Sequence, residues 1–147
     1  MNLLKNRPYF LFWISIPFVW VIGNLEVGDS ALDINVHDTY FVIANEHLVI
    51  LISIYFGLVG LVYWIFNKLE RRLSKWLNLI HTLITVGGMV IIFPLTYFFL
   101  DSIMSSYDTD ITKYRDLNIS ITIISILVLF TQLLFLINLF TGLIRKK

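Results

Sequence analysis

The sequence predicts an all-α fold, an integral membrane bundle of four transmembrane helices. The chain has 147 residues, of which 58% are hydrophobic and 14% are charged, and a soluble domain of this length is rarely so apolar. A helix needs roughly 20 apolar residues to cross a hydrocarbon core of about 30 Å. Four segments meet this need, at about 8–23, 40–66, 77–100 and 119–144. They leave no room for a separate soluble domain, so residues 1–147 are expected to form one domain.

The distribution of charge predicts how these spans are oriented. Basic residues occur at Lys5 and Arg7, at Lys68, Arg71, Arg72 and Lys75, and at Arg145, Lys146 and Lys147. Most acidic residues fall in the connections 24–39 and 101–118. Because basic residues favour the cytoplasmic side, we expect both termini in the cytoplasm, the two acidic connections outside, and a bacterial cytoplasmic membrane as the location. No small-residue cleavage site follows Gly23, so span one is expected to be retained rather than removed as a signal peptide.

Span two is the segment with the most informative polar residues. Hydropathy alone would begin it near His47, but the apolar run reaches back to Tyr40, which gives a helix long enough to cross with a tilt. Asp38 or Thr39 is then the expected N-cap. On this reading Asn45, Glu46 and His47 lie about two turns inside the helix, below the interface, and form a compact polar cluster.

A short basic connection joins spans two and three, which predicts that these two spans are antiparallel neighbours. Gly87 and Gly88 in span three permit the close approach of another helix. His81 lies near one end of span three, where we expect its side chain to extend towards the membrane interface. Span four carries polar residues that are expected to hydrogen-bond across helices, namely Ser120, Thr122, Ser125, Thr131, Gln132 and Asn138.

One motif stands out from this background. The run His37-Asp38-Thr39-Tyr40, followed by apolar residues and then Asn45-Glu46-His47, resembles the signature of haem-copper oxidase subunit I, the catalytic subunit of cytochrome c oxidase. The likeness extends to Leu32-Asp33 before the motif and, downstream, to Trp76 through Ile80-His81, to Ile92-Phe93-Pro94 and to Met104-Ser105-Ser106-Tyr107. The whole chain is similar to the last four of that family's twelve helices.

The resemblance implies a changed relative. In the family's signature two histidines, separated by one phenylalanine, are axial ligands of two different haems. Asn45 stands at the first of these positions, Glu46 at the phenylalanine and His47 at the second histidine. An arginine pair that holds the haem propionates corresponds to Ser105-Ser106. We therefore expect that this chain alone does not reduce oxygen and is not an enzyme.

The candidate site residues each have a plainer interpretation beside the functional one. His47 would bind haem if another chain supplied the second axial ligand, or it is a histidine that is hydrogen-bonded to Glu46 of a neighbouring chain or to a backbone carbonyl. Glu46 would be an ion or proton site, or a hydrated residue between helices. His37 and Asp38 match a pair near a non-redox Mg²⁺ in the family, but two residues supply too few ligands by themselves, and capping is the alternative.

These observations leave three functions open. The first is a non-catalytic subunit, scaffold or assembly factor that acts through helix contacts. The second is a small low-spin haem protein that transfers electrons through His47. The third is an ion or proton conduit around Glu46. No cofactor is certain, haem being the candidate, and the expected partners are membrane lipid and either further copies of the chain or a larger membrane complex of respiratory type. No motif indicates nucleic acid.

Overall fold

The chain forms four helices and one β-hairpin, seen in a computed structural model that describes residues 7–25, 31–36, 39–104 and 111–145. In chain order these are α1 (Pro8–Leu25), β1 (Ala31–Val36), β2 (Thr39–Ala44), α2 (Asn45–Lys68), α3 (Lys75–Met104) and α4 (Ile111–Ile144). Helices α2, α3 and α4 are long and apolar enough to cross a membrane, whereas α1 is a shorter apolar helix. The predicted integral membrane four-helix fold is confirmed, with a hairpin that was not predicted.

The hairpin corrects the start of span two. Strands β1 and β2 pair antiparallel from Ala31 with Ala44 to Val36 with Thr39, so the predicted helical stretch from Tyr40 is a strand and α2 begins at Asn45. The physical reason is that β2 is rich in aromatic and β-branched residues, which suit a strand. Hydropathy identifies the run as apolar but does not distinguish a short strand from the beginning of a helix. The predicted N-cap was also wrong, because the cap residue is Ala44, with no side-chain hydrogen bond.

The second acidic connection, 101–118, is shorter than predicted. Asp101 belongs to α3 and Asp116 to α4, so most of the predicted connection 101–118 is helical. The residues between these helices, which include Ser105 and Ser106, lie outside the described part of the chain. So do His37 and Asp38, between the two strands.

The core lies where α1, α2 and α3 meet α4. Phe12 and Val19 of α1, Phe56 and Tyr63 of α2 and Phe135 of α4 are buried in one cluster. The backbones of α1 and α2 pack together, as do those of α3 and α4, and α1 also packs on α3. Spans two and three, which were predicted to be neighbours, meet through their side chains, since Tyr63 of α2 lies against His81 of α3.

Glycines mark the close helix contacts. A Cβ at Gly88 would lie 2.8 Å from Val128 Cγ2 and 3.2 Å from Ile124 Cγ2, which confirms the close approach predicted at this position. A Cβ at Gly60 would overlap the indole of Trp13. By contrast, Gly87 faces open space. The helices α1 and α2, and α3 and α4, are thus held at distances that only a residue without a side chain permits.

Candidate functional site

The signature residues lie at the very beginning of α2. Because the helix starts at Asn45, residues 45–47 occupy its first turn rather than its third, and the side chains of Glu46 and His47 are exposed. The predicted depth of about two turns was wrong. Glu46 is well placed for helix stability, since a carboxylate in the first turn interacts favourably with the positive end of the helix dipole.

The described residues around His47 do not make a haem or metal site by themselves. Positions 45 and 47 are about 200° apart on a helix, so they fall on nearly opposite sides of α2. Within the described residues there is no group of three or more His, Cys, Asp or Glu side chains that could hold a metal ion. The imidazole of His47 is exposed, so among the described residues it is a single ligand, and a haem would need walls and a second ligand from elsewhere.

The structure places a different histidine at the centre of the bundle. His81 is fully buried, with 0% of its surface exposed, so its predicted extension towards the interface was wrong. Its ring stacks on Phe135, with 4.6 Å between ring centroids and 12° between planes. Phe12 and Tyr63 lie on its other sides, at centroid distances of 5.6 Å and 5.7 Å. Each of the four helices therefore supplies one ring to this aromatic group.

Both nitrogens of His81 have hydrogen-bond partners on other helices. The Tyr63 hydroxyl of α2 lies 2.9 Å from His81 Nδ1, and Gln132 Oε1 of α4 lies 3.1 Å from His81 Nε2. The Tyr55 hydroxyl donates to the same amide oxygen. We call Tyr55, Tyr63, His81, Thr85, Thr131 and Gln132 the polar network.

The geometry fixes where the protons of the polar network lie. Gln132 Nε2 is 2.8 Å from the Val128 carbonyl oxygen and 3.1 Å from Thr85 Oγ1. The reverse amide orientation would bring two acceptor oxygens together at Val128, so Oε1 must face His81. His81 Nε2 therefore donates to Oε1. In the neutral imidazole, Nδ1 is then the acceptor for the Tyr63 hydroxyl.

This arrangement connects helices but does not carry a continuous chain of proton transfers. His81 and Tyr55 both donate to Gln132 Oε1, so donors meet at that atom instead of running head to tail. On the other side, Thr85 and Thr131 hydroxyls lie 3.2 Å apart, and Thr131 donates to the Val128 carbonyl at 2.8 Å. The path ends there, because a backbone carbonyl has no proton to pass on. The network satisfies buried polar groups and ties α2, α3 and α4 together.

A second polar contact joins α3 to α4 nearer the α2–α3 connection. Asn138 of α4 is fully buried, and its Nδ2 donates to Asn78 Oδ1 of α3 at 2.7 Å. The backbone amide of Ser74 donates to Asn138 Oδ1 at 2.9 Å. Asn138 thereby joins the start of α3 to α4. The prediction that span four bonds across helices is confirmed for Thr131, Gln132 and Asn138, whose partners lie in the same chain.

The sequence did contain a signal for these polar contacts of α3. Ser74, Asn78, His81 and Thr85 follow one another at intervals of four, three and four residues, which places them on one face of a helix. A polar stripe of this kind inside an apolar helix marks a face turned towards other helices, since lipid cannot satisfy it. The pattern does not name the partners of His81, which the structure identifies as Tyr63 and Gln132.

Comparison with known proteins explains the motif at the start of α2. Residues 4–127 match the family described as Cytochrome C and Quinol oxidase polypeptide I, and this match covers most of the chain. The chain belongs to that family. The resemblance carried by the residues from His37 to His47 is thereby confirmed, and the oxidase family relationship and the apolar helices together establish an integral membrane protein.

Curated relatives in this family are much longer than the chain. It is 33% identical over 89 residues to cytochrome c oxidase subunit 1 of Thermostichus vulcanus, which covers 58% of this chain and 16% of that protein. The match to alternative cytochrome c oxidase subunit 1 of Bradyrhizobium diazoefficiens is 29% over 140 residues, covering 88% and 24%. Cytochrome c oxidase subunit 1 of a Synechocystis species is 30% identical over 152 residues, covering 98% and 27%.

The chain thus spans between 16% and 27% of the length of these three relatives. No solved structure matches it significantly.

Proposed function

We propose that this member of the oxidase polypeptide I family is a non-catalytic membrane protein, which acts as a subunit, scaffold or assembly factor through contacts between helices. The observation that carries the proposal is Asn45. The signature has a haem-ligating histidine at this position, and a neutral carboxamide is not a substitute for imidazole as a haem ligand. The replacement belongs to the chain itself and holds whatever else the protein is assembled with.

The hydrogen bonding of the interior supports a structural role. Polar side chains of α2, α3 and α4 hydrogen-bond to one another within the bundle, and these contacts stabilise the interior. Outside, α4 exposes large apolar side chains such as Leu129, Phe130 and Phe140. In a membrane such a surface meets lipid or other apolar helices, and close packing rather than charge would hold a partner there. The partner is a second copy of this chain or a larger respiratory membrane complex.

The exposure of His47 favours haem binding as the second candidate function. An exposed imidazole on the first turn of α2 is accessible to a group that approaches from another chain. Because the described residues offer no pocket around it, this function requires a partner that supplies the second axial ligand and the walls. A conduit around Glu46 has less support, since its side chain lies exposed at the helix start and the buried polar network contains no carboxylate.

The experiment is to purify the full-length protein from its own membranes in a mild detergent, with and without prior crosslinking. The proposed function predicts co-purifying membrane proteins or a defined ladder of copies, together with an oxidised and reduced absorption spectrum without haem bands stoichiometric with the protein. A monomer with no crosslinked partner would contradict the proposal. A stoichiometric Soret band that disappears in His47→Ala, but persists in the matched exposed change Asn24→Ala, would establish the second candidate instead.

A further inference from the structure

We propose that the connection between α2 and α3, together with the end of α4, binds the phosphate headgroup of an anionic phospholipid. The binding surface consists of Lys68, Arg72, Lys75 and Arg145, which we call the basic patch. It lies at the opposite end of α2 from Asn45 and His47, and it does not depend on the proposed function.

The local fold turns the chain sharply at this point. Helix α2 ends in a Schellman motif, in which Arg71 N donates to Phe66 O at 3.0 Å and Glu70 N donates to Asn67 O at 3.2 Å. Glu70 occupies the left-handed position of that motif, with φ of 53°, where glycine is usual. The turn brings residues 71 and 72 back across the bundle instead of letting the chain continue along the axis of α2.

Contacts with α4 then hold this turn in place. The Arg72 amide donates to the Arg145 carbonyl at 3.4 Å, and Arg71 Nη1 donates to the Leu143 carbonyl at 2.9 Å. The position of a Cβ at Gly142 is only 2.5 Å from Leu73 Cδ2, so the connection lies directly on the helix end. Arg71 caps the carbonyls at the negative end of α4, which leaves the other cations for a ligand.

The side chains of the basic patch are all exposed. Glu70 is the only carboxylate among residues 68–75, and Lys146 and Lys147 follow Arg145 in the sequence, so the region is strongly positive. Lysine and arginine near a membrane surface attract anionic lipid, and arginine binds phosphate through paired hydrogen bonds.

Apolar groups beside the cations distinguish a lipid from a free phosphate. Lys68 Nζ lies 5.0 Å above the Trp64 ring, and Trp76 is 66% exposed. Tryptophan is typical of the interface between headgroups and acyl chains. Leu69 and Ile144 are also exposed, at 61% and 84%. A ligand with both a phosphate and acyl chains matches this combination better than a soluble anion does.

The test compares two variants of the full-length protein that lose the same charge. Arg72→Gln/Arg145→Gln alters the basic patch, and Lys113→Gln/Arg115→Gln alters the beginning of α4. Purified proteins in a neutral detergent are titrated with phosphatidylglycerol and with phosphatidylcholine, and bound lipid is measured by native mass spectrometry. Each cation near a membrane surface contributes about fivefold in affinity, equivalent to about 1 kcal/mol. We expect the patch variant to bind phosphatidylglycerol about 25-fold more weakly, and the control to bind within twofold of the unaltered protein.

Rescue and competition complete the design. Arg72→Lys/Arg145→Lys keeps the charge and should recover most of the affinity, which separates loss of binding from loss of folding. The proposal would be overturned if both double glutamine variants bound phosphatidylglycerol equally weakly. It would also be overturned if the unaltered protein bound phosphatidylcholine as tightly as phosphatidylglycerol. Displacement of the lipid by inorganic phosphate at similar concentration would overturn it in favour of a soluble anion.

Discussion

The role of Gln132 in joining three helices can be tested by replacing it with leucine. Leucine is similar in size, so the change removes hydrogen bonds without opening a large cavity. Three of the bonds run between helices, to His81, Tyr55 and Thr85. Two more, to the Val128 carbonyl and to Thr131 Oγ1, are within α4, and the Val128 carbonyl keeps its bond from Thr131. The main consequence is that His81 Nε2 and the Tyr55 hydroxyl lose their common acceptor.

The size of the effect follows from the membrane setting. Interhelical hydrogen bonds in membrane proteins contribute about 0.6 kcal/mol each, because the unfolded chain also finds partners within the bilayer. Three such bonds give about 1.8 kcal/mol. A buried donor left without a partner costs about 1–3 kcal/mol, so two stranded donors place the loss above that sum. We expect Gln132→Leu to lower the free energy of unfolding by about 2–4 kcal/mol.

The assay is equilibrium unfolding of the purified protein in mixed micelles, followed by tryptophan fluorescence and circular dichroism. Asn24→Leu is the matched control, since the exposed Asn24 amide donates to Trp20 O of its own helix, at 2.6 Å. It should change stability by less than about 0.5 kcal/mol. His81→Phe keeps a ring against Phe135, and in the double variant with Gln132→Leu the losses should be smaller than the sum. A Gln132→Leu protein as stable as the Asn24→Leu control would refute the assigned role of the polar network.

Three further outcomes are expected. Gly60→Ala should destabilise the protein by about 1–3 kcal/mol in the same assay, because the new methyl overlaps the Trp13 indole. Its control is Gly57→Ala, whose methyl meets open space and which should be neutral or stabilising by up to about 1 kcal/mol. Equal changes in stability for the two variants would contradict the close packing of Gly60 against Trp13. Glu70→Gly should stabilise by up to about 1 kcal/mol by relieving the left-handed backbone, whereas Glu70→Ala should not. The chain has no cysteine, so single introduced cysteines can report on the predicted orientation of the helices in the membrane. In intact cells a membrane-impermeant thiol reagent should label Asp116→Cys but not Leu69→Cys. Labelling of Leu69→Cys alone would mean that the orientation is the reverse of the predicted one.

The sequence was sufficient for the number of helices because long apolar runs have few alternatives in a membrane. The predicted start of span four at residue 119 and its end at 144 match the apolar part of α4. However, hydropathy measures the free energy of transferring a side chain out of water and contains no information on backbone geometry. The alternation of Leu32, Ile34 and Val36 with polar residues is a strand pattern, and it was the local signal for the hairpin that displaced the start of α2.

The polar residues show why a site was harder to predict than the fold. The motif that ends at His47 predicted a site there, and the structure places His47 in an exposed first turn. His81 belongs only to the downstream likeness from Trp76 to Ile80-His81, and it lies at the centre of the bundle. What decides between them is the set of partners: His81 requires Tyr63, which is 18 residues away, and Gln132, which is 51 residues away. Such pairings depend on which helices become neighbours, and the short α2–α3 connection does not predict that α4 supplies Gln132 to the same histidine. Periodicity could have located the polar face of α3, because its hydroxyl, amide and imidazole groups recur every three or four residues. It could not have oriented the Gln132 amide, and that orientation is what makes the polar network a tie between helices rather than a path for protons.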